Sequence, residues 1–339
     1  MAEERVQRRL AAILAADAAP PVALNGLLAT TYVVVHFFVL FAVPLLLLPR
    51  DAAWGGVLVV FVLLTPFFWA LAHETLHGNF HSDPCLNRAV GRVLCVLFGS
   101  SHRVLQFGHL LHHRLSRSSF DRIEVYDPRV ESRARAALVY YFRVLIGPYM
   151  AEIGGCVVAL LPQPAIRRVL ALLFKTKGRD TPVIAPMAER AYLARDRLRE
   201  IRIDSVAALT LTGFALWSYG PHWWMLVAAL IGRGVVLSLN DNAAHYSTPL
   251  SEPNYALTLG LPRPFAGFML NFNYHQAHHA APRAPWNALP RLHAHAGDGV
   301  DGSWLAIICR QLKGPIPVDE LPCHGHRHRY PHRPATASR

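Results

Sequence analysis

The stretch Ala52–His77, AAWGGVLVVFVLLTPFFWALAHETLH, joins two kinds of sequence. From Ala52 to Ala72 it holds no Asp, Glu, Lys or Arg. About twenty apolar residues are what a helix needs to cross the roughly 30 Å hydrocarbon core of a bilayer. Its last turn then places His73 and His77 four residues apart, with Glu74 between them. Residues at that spacing share a helix face, so the stretch predicts a membrane span that ends in a pair of imidazoles.

The pattern extends in both directions. Gly26 to Leu48 is also free of charged residues, with Pro44 as an expected kink. Ile203 to His245 has room for two more helices, broken near Gly220-Pro221, with Trp217, Trp223 and Trp224 as an interfacial belt. These readings predict an all-α integral membrane protein with four transmembrane helices, at about 26–48, 53–72, 203–219 and 223–245. A cytoplasmic helical cap and interfacial helices would carry the remaining histidines. The 339 residues are 53% hydrophobic and 17% charged, with a mean hydropathy of +0.24, which agrees. The first apolar run starts late and is longer than a signal-peptide core, so no cleaved leader is expected.

Two further apolar runs are not read as spans. Val93 to Gly99 is too short. Ala136 to Leu161 carries Arg143, Pro148, Glu152 and Gly154-Gly155 and is expected at the interface. Parity supports this, because chemistry on one side of the membrane requires an even number of spans between histidine clusters. Residues 1–320 are read as one domain. Met1–Ala19 is expected to be a surface amphipathic helix ended by Pro20-Pro21, and 321–339 a disordered His/Arg-rich tail.

A formal net charge of +12 raises the question of nucleic acid, but the distribution of the basic residues excludes it as the natural reading. Of 34 Lys and Arg, twenty lie between His73 and Arg202, whereas Arg50 alone lies between the first two runs. By the positive-inside rule the long middle segment and both termini are cytoplasmic. The expected location is a bacterial inner membrane, with the active site on the cytoplasmic side. A basic cytoplasmic face suits anionic headgroups, an acidic electron carrier or an anionic acyl carrier. The five cysteines form no CxxC pair, which argues against a disulfide framework or an in-chain rubredoxin-like site.

Three clusters, His73-x3-His77, His109-x2-His112-His113 and His275-x2-His278-His279, use eight of the nineteen histidines. Neutral imidazole suits iron, copper, nickel and zinc, and each cluster is expected to turn one face towards a metal. Glu74 is a candidate acceptor for the outer N–H of a metal-bound imidazole. His81 continues the series 73, 77, 81 and is a further candidate beside the site. His36, His102, His222, His293 and His295 are read as structural. The tail histidines His324, His326, His328 and His332 are possible adventitious metal sites. Arg233, near the middle of the fourth predicted span, is expected to pair with Asp204, with an acyl carboxylate as the alternative.

The chain resembles the membrane fatty-acid desaturase and hydroxylase superfamily. The closest wording is Asn273-Tyr274-His275-Gln276-Ala277-His278-His279, followed by Pro282, Pro285, Trp286, Leu289 and Pro290. The family reads N-Y-H-x-x-H-H and then P-x-x-P-W-x-x-L-P. The likeness extends from the first span to about His295. It implies two iron ions ligated by the box histidines, with O2 as co-substrate. It also implies a ninth ligand near the end of the fourth span, where His245 stands. The resemblance therefore gives His73, His77, His109, His112, His113, His245, His275, His278 and His279 as ligands. The family places an asparagine four residues before the ninth histidine, where this chain has Asp241. Asn240, Asp241 and Asn242 are all candidates to assist there. Ala277 replaces a common Glu, Ala280-Ala281 replace bulkier residues, and the first box has three spacers where many acyl desaturases have four.

The resemblance implies attack on an unactivated C–H bond of a fatty acyl chain, with desaturation as the leading outcome. Alternatives are hydroxylation, decarboxylation to a terminal alkene, and carotenoid ketolation or hydroxylation. No fused cytochrome b5 signature is present, so electrons are expected from an external ferredoxin, rubredoxin or cytochrome b5 type of carrier. The rival from another class is a non-catalytic zinc-binding receptor or a metal transporter. Transporters place ligands near the bilayer midplane, and a zinc site needs only three or four ligands.

Overall fold

The computed structural model describes residues 19–174, 184–252, 255–297 and 299–323. The helix expected over Met1–Ala19, most of the tail and its four histidines lie outside the described residues.

The first apolar run folds as α1, Val22–Leu47. It is an ordinary helix as far as Phe37 and has wider π turns over Phe38–Leu47, where Pro44 lies. Proline has no N–H to give, and its ring crowds the carbonyl one turn back; wider turns relieve that clash. The expected kink is therefore a widening. The run quoted first becomes two helices, α2 (Val57–Leu63) and α3 (Thr65–His77). They meet at 44°, with the preceding turn Ala52–Gly56 counted into the first arm. Pro66 in the first turn of α3 fixes the break, because proline suits a helix start and not a helix interior.

The next helices are α4 (Pro84–Phe98) and α5 (His102–Leu115). After them come α6 (Arg133–Leu160), α7 (Gln163–Leu173) and α8 (Ala185–Tyr192). Helices α9 (Arg195–Ser218) and α10 (Trp223–Ala243) form a hairpin about Gly220–His222. Val93 to Gly99 is the end of α4 and its cap. The segment expected at the interface is one continuous 28-residue helix, α6, packed against both α9 and α10.

Among the described residues two helices, Val22–Leu47 and Gly220–Ala243, are long and apolar enough to cross a membrane, and a third span is made if the bent pair counts as one. The surface agrees with an integral membrane protein. Leu27, Val59 and Leu63 on these helices are 64%, 61% and 63% exposed, which water would penalise and lipid does not. Inside, Tyr32, Phe61, Phe68, Leu71, Leu94 and Leu226 form one apolar core. Two buried tyrosine hydroxyls in it have backbone partners, as a medium without water favours. Tyr32 Oη donates to Leu94 O at 2.9 Å, and Tyr219 Oη donates to Val39 O at 2.8 Å.

Asp204 does not pair with Arg233. Arg92 on α4 takes it at 2.7 Å, and Ser101 Oγ donates to its other oxygen at 3.1 Å. Arg233 instead lies between Phe61 and Phe98, its guanidinium carbon 4.9 and 4.7 Å from the ring centroids. Aromatic faces attract a desolvated cation and partly offset its burial.

Past α10 the chain forms short helices: α11 (Arg263–Phe268), α12 (His275–Ala280), α13 (Leu289–Ala296) and α14 (Trp304–Gln311). Two parallel two-residue ladders tie this region down. β1 (Val125–Tyr126) pairs with β4 (Ile316–Pro317), and β2 (Leu259–Gly260) pairs with β3 (Gly302–Ser303). None of the five cysteines is in a disulfide.

Candidate metal centre

Each histidine is delivered by a helix end or a turn. Helix α3 carries His73 and His77 one turn apart and stops at Gly78, whose φ of 80° is the left-handed value that glycine accepts cheaply. That stop explains why His81 does not continue the series. Its Nδ1 accepts from the Asp83 backbone N–H at 2.9 Å, and it belongs to neither histidine group.

The nine histidines come together in two groups. His73, His77, His109, His113 and His278 form one; His112, His245, His275 and His279 form the other, with the ligand nitrogens of each group all within 4.8 Å of one another. Each HxxHH box is split between the groups, contrary to the expectation of one box per metal. A helix turns about 100° per residue, so residues four apart differ by about 40°, whereas the one three along lies about 60° to the other side. In α5 the four-apart pair His109 and His113 joins the first group and His112 the second. In α12 the pair His275 and His279 joins the second group and His278 the first. The two boxes therefore cross-link the groups with opposite polarity. His245 arrives from the turn after α10, where Thr248 Oγ1 donates to its carbonyl at 2.9 Å.

The donor set fits metal ions. Within the first group Nε2 atoms of His77 and His109 are 2.7 Å apart, and those of His109–His113 and His113–His278 are 3.0 Å apart. In the second group His112–His245, His245–His275 and His275–His279 are each 3.1 Å apart. Nitrogens about 2.1 Å from one ion, at right angles, stand about 3.0 Å from each other. His73 Nε2 is buried and makes no hydrogen bond among the described residues. Burial holds His275 down to about 3 and pushes His109, His113, His278 and His279 below the usual imidazole range, with neighbouring histidine charge adding to it. Neutral imidazole is the form that binds metal. His112 is the exception. Burial is the largest single influence and would lower it, but the charge and hydrogen bond of Asp121 together with the charge of Asp241 raise it.

The flanking side chains have partners of their own. Glu74 accepts from the Trp286 backbone N–H at 3.1 Å and not from an imidazole. Asn240 accepts from Trp304 Nε1 at 3.0 Å, and Asn242 donates to Gln311 Oε1 at 2.9 Å. Asp241 accepts from Trp69 Nε1 at 3.1 Å. Trp69 in turn packs on His73 and His109, at 6.1 and 6.2 Å between centroids. Phe272 touches both groups, 5.0 Å from His73 and 4.8 Å from His275. Leu270 and Asn271 before it have φ of 48° and 55°. Such strained backbone is of the order of 1–3 kcal/mol per residue and collects at functional sites; here it immediately precedes Phe272, which meets both rings edge-on.

Trp69, Asp121 and Phe272 were not singled out from sequence. Trp69 stands one turn before His73 on the same helix face, a signal the spacing offers; no spacing rule leads to Asp121 or Phe272. His36 is a packed residue, as read: buried, stacked on Tyr32 at 4.2 Å, with Nδ1 2.8 Å from Tyr32 O. A cleft of about 310 Å³ opens at His77, one of the nine group histidines, and is bordered by His81, Asn87, Arg88, Arg103 and Gln106.

The family model described as fatty acid desaturase matches residues 51–310, which include all nine histidines. No curated protein matches the sequence.

Proposed function

The chain belongs to the fatty acid desaturase family, and from that premise we propose that it is an oxygen-dependent di-iron membrane oxidoreductase that desaturates a fatty acyl chain. The observation that carries the proposal is the pair of adjoining, nitrogen-only groups of five and four histidines. A single zinc site needs three or four ligands, so nine histidines in two sets favour two metals over a zinc receptor. In this reading His73, His77, His109, His113 and His278 hold one iron, and His112, His245, His275 and His279 hold the other.

When bound, the two irons supply oxygen activation and removal of hydrogen from an unactivated C–H bond. The chain supplies position. Helices α3, α5 and α12 and the turn after α10 hold the nine rings on rigid elements, and such positioning is what the chain would contribute to the reaction. Trp69 and Phe272 present apolar faces beside the rings, which suits an acyl chain and excludes water. Trp286, on the apolar side of box three, is held by Glu74 at its backbone N–H and by Asn25 Oδ1 at Nε1, 3.0 Å away. The cleft at His77 lets a polar headgroup or an external carrier of electrons approach from the basic side.

Four spans over about 26–48, 53–72, 203–219 and 223–245, the cap on the cytoplasmic side and a single domain to residue 320 belong to the same proposal. Helices α1, α2 with α3, α9 and α10 support it, because α3 and α10 both end at the histidine groups.

Expression in a host fed defined fatty acids, with lipid and hydrocarbon products identified by mass spectrometry, tests the outcome. Unsaturated acyl chains that disappear with His113→Ala are expected. Hydroxy acids or terminal alkenes would reassign the reaction within the family, and unchanged acyl chains with oxidised carotenoids would overturn the acyl substrate. About one zinc and no iron in the purified protein would overturn the di-iron reading.

A further inference from the structure

The two histidine groups are not supported alike. His112 Nδ1 lies 2.7 Å from Asp121 Oδ2, while Nε2 of the same ring faces His245 Nε2 at 3.1 Å. The ring therefore donates its outer N–H to a carboxylate and turns its other nitrogen inward. Among the described residues no other histidine of either group hydrogen-bonds a carboxylate. His245 and His275, also in the four-histidine group, have buried Nδ1 atoms without a hydrogen bond there.

Asp121 is held firmly. It lies in the loop 116–124 that follows α5, where Arg117 adopts a left-handed φ of 66° and the Asp121 N–H donates to Ser118 O at 3.0 Å. Ser116 and Asp121 form a parallel bridge. At the far end of the loop Glu124 O accepts from the Ile316 N–H at 2.7 Å, where β1 meets β4. The same loop reaches the other side of the group. The buried Arg117 pairs with Glu124 at 2.7 Å and donates to His245 O at 3.2 Å and to Thr248 O at 2.8 Å. One loop thus supports two of the four histidines from behind, His112 through its ring and His245 through its backbone.

We propose that Asp121 is a positioning residue that makes the two metal positions unequal, the four-histidine position depending on its carboxylate and the five-histidine position not. The inference rests on the di-iron reading above. Its physical basis is that a carboxylate behind a metal-bound imidazole fixes ring orientation and makes the inner nitrogen a better donor; loss of such a partner typically weakens metal binding roughly 10–100-fold.

The test uses the full chain with His324, His326, His328 and His332 replaced by alanine, so that tail sites add no metal. Protein loaded anaerobically with ferrous iron-57 is exposed to a chelator for increasing times. Iron per chain and the Mössbauer spectrum are then read for the parent, Asp121→Ala, Asp121→Asn and Asp121→Glu. The parent is expected to keep two irons. Asp121→Ala should lose one of them roughly 10–100-fold faster, with one of two iron signals lost and the other unchanged. Asp121→Asn keeps an acceptor oxygen but not the charge and should fall between; Asp121→Glu should recover much of the retention.

Parent-like retention and spectrum in Asp121→Ala, or parallel loss of both irons, would overturn the inference while leaving the di-iron reading intact. If Asp121→Ala fails to fold, Asp121→Asn decides, and parent-like iron retention in it overturns the charge dependence. A parent chain that never holds two irons would overturn the di-iron reading itself.

Discussion

The two histidine groups draw on two shared helices, yet what stands behind them differs. The five-histidine group is backed by aromatic rings, with Trp69 against His73 and His109 and Phe272 shared between His73 and His275 of the other group. The four-histidine group is backed by charge, with Asp121 on His112 and the buried Arg117–Glu124 pair behind His245. Identical donor atoms thus sit in two environments, one governed by packing and the other by hydrogen bonds to ionised groups. Packing keeps water out and is indifferent to pH. A charged support fixes orientation more firmly, but fails when either partner is lost. Perturbations should therefore separate the two groups.

The largest effect is expected from the histidines that box three sends in opposite directions. His278→Ala and His279→Ala alter adjacent residues but remove a ligand from different groups. Both should reduce product to background in a lipid-product assay. Their Mössbauer spectra should differ, each variant perturbing the iron signal that the other leaves intact. Identical spectra would mean that the division into two groups has no chemical consequence.

Acid should come next. In metal-free protein, burial holds His275 down to about 3 from an ordinary 6.5. Between those values the unfolded chain takes up a proton that the folded chain refuses, so this contribution to stability is present above about pH 6.5 and is lost as pH falls towards 3. His112 runs the other way. With its folded value raised against burial by Asp121 and Asp241, it favours the folded state below 6.5 and loses that contribution as pH rises through its folded value. Burial lowers most of the other group histidines as well, so the net expectation is a lower melting temperature at pH 5 than at pH 7.5 when metal is absent. Loaded protein should respond less, because metal holds the rings neutral. Equal melting temperatures at both pH values in the metal-free protein would contradict the buried, neutral state of these rings.

Much of this arrangement was legible in the sequence, for reasons that also mark where legibility stopped. The charge-free runs before His73 and after Gly26 announce spans because a bilayer demands length and apolarity, which are local properties. The boxes announce metal because three clusters at helical spacing are hard to explain otherwise. The split of each box was also within reach, since 100° per residue separates His112 from the pair His109 and His113, but reading a box as a unit hid it. Asp121 could not be found this way. Its contact with His112 depends on a left-handed Arg117 and a ladder to Ile316, almost two hundred residues away in the chain. Arg233 was misread for a related reason. Depth along a helix can be counted, but which acid is already taken, here Asp204 by Arg92, is a tertiary fact.

A smaller but still large effect tests the charged side. Arg117→Met keeps an unbranched apolar stem but not the guanidinium and leaves Glu124, which is 1% exposed, without its cation. Breaking a buried pair from one side costs about 3–5 kcal/mol. It also removes one donor from each of the His245 and Thr248 carbonyls, so thermal unfolding should shift strongly downward and the four-histidine position should lose metal more readily. Replacing both partners, Arg117→Met with Glu124→Leu, should restore part of the stability by removing the stranded charge. If the single and double variants are equally unstable, the loop is held by something other than the ion pair.

The smallest effect probes the aromatic side, where one hydrogen bond crosses the division. Trp69 Nε1 donates to Asp241 Oδ1 at 3.1 Å, so the residue is both wall and donor. Trp69→Phe keeps most of the wall and removes the donor; a hydrogen bond to a charged acceptor contributes about 1.5–3 kcal/mol. Trp69→Ala removes both, and deletion of a buried large aromatic costs about 3–5 kcal/mol. If packing governs this side, Trp69→Phe should melt only slightly below the parent and retain both irons, with Trp69→Ala well below it. Melting curves and iron content of the two variants decide between packing and bonding. If Trp69→Phe fell as far as Trp69→Ala, the bond to Asp241 would carry the stabilisation. The five-histidine group would then rest on charge as the four-histidine group does.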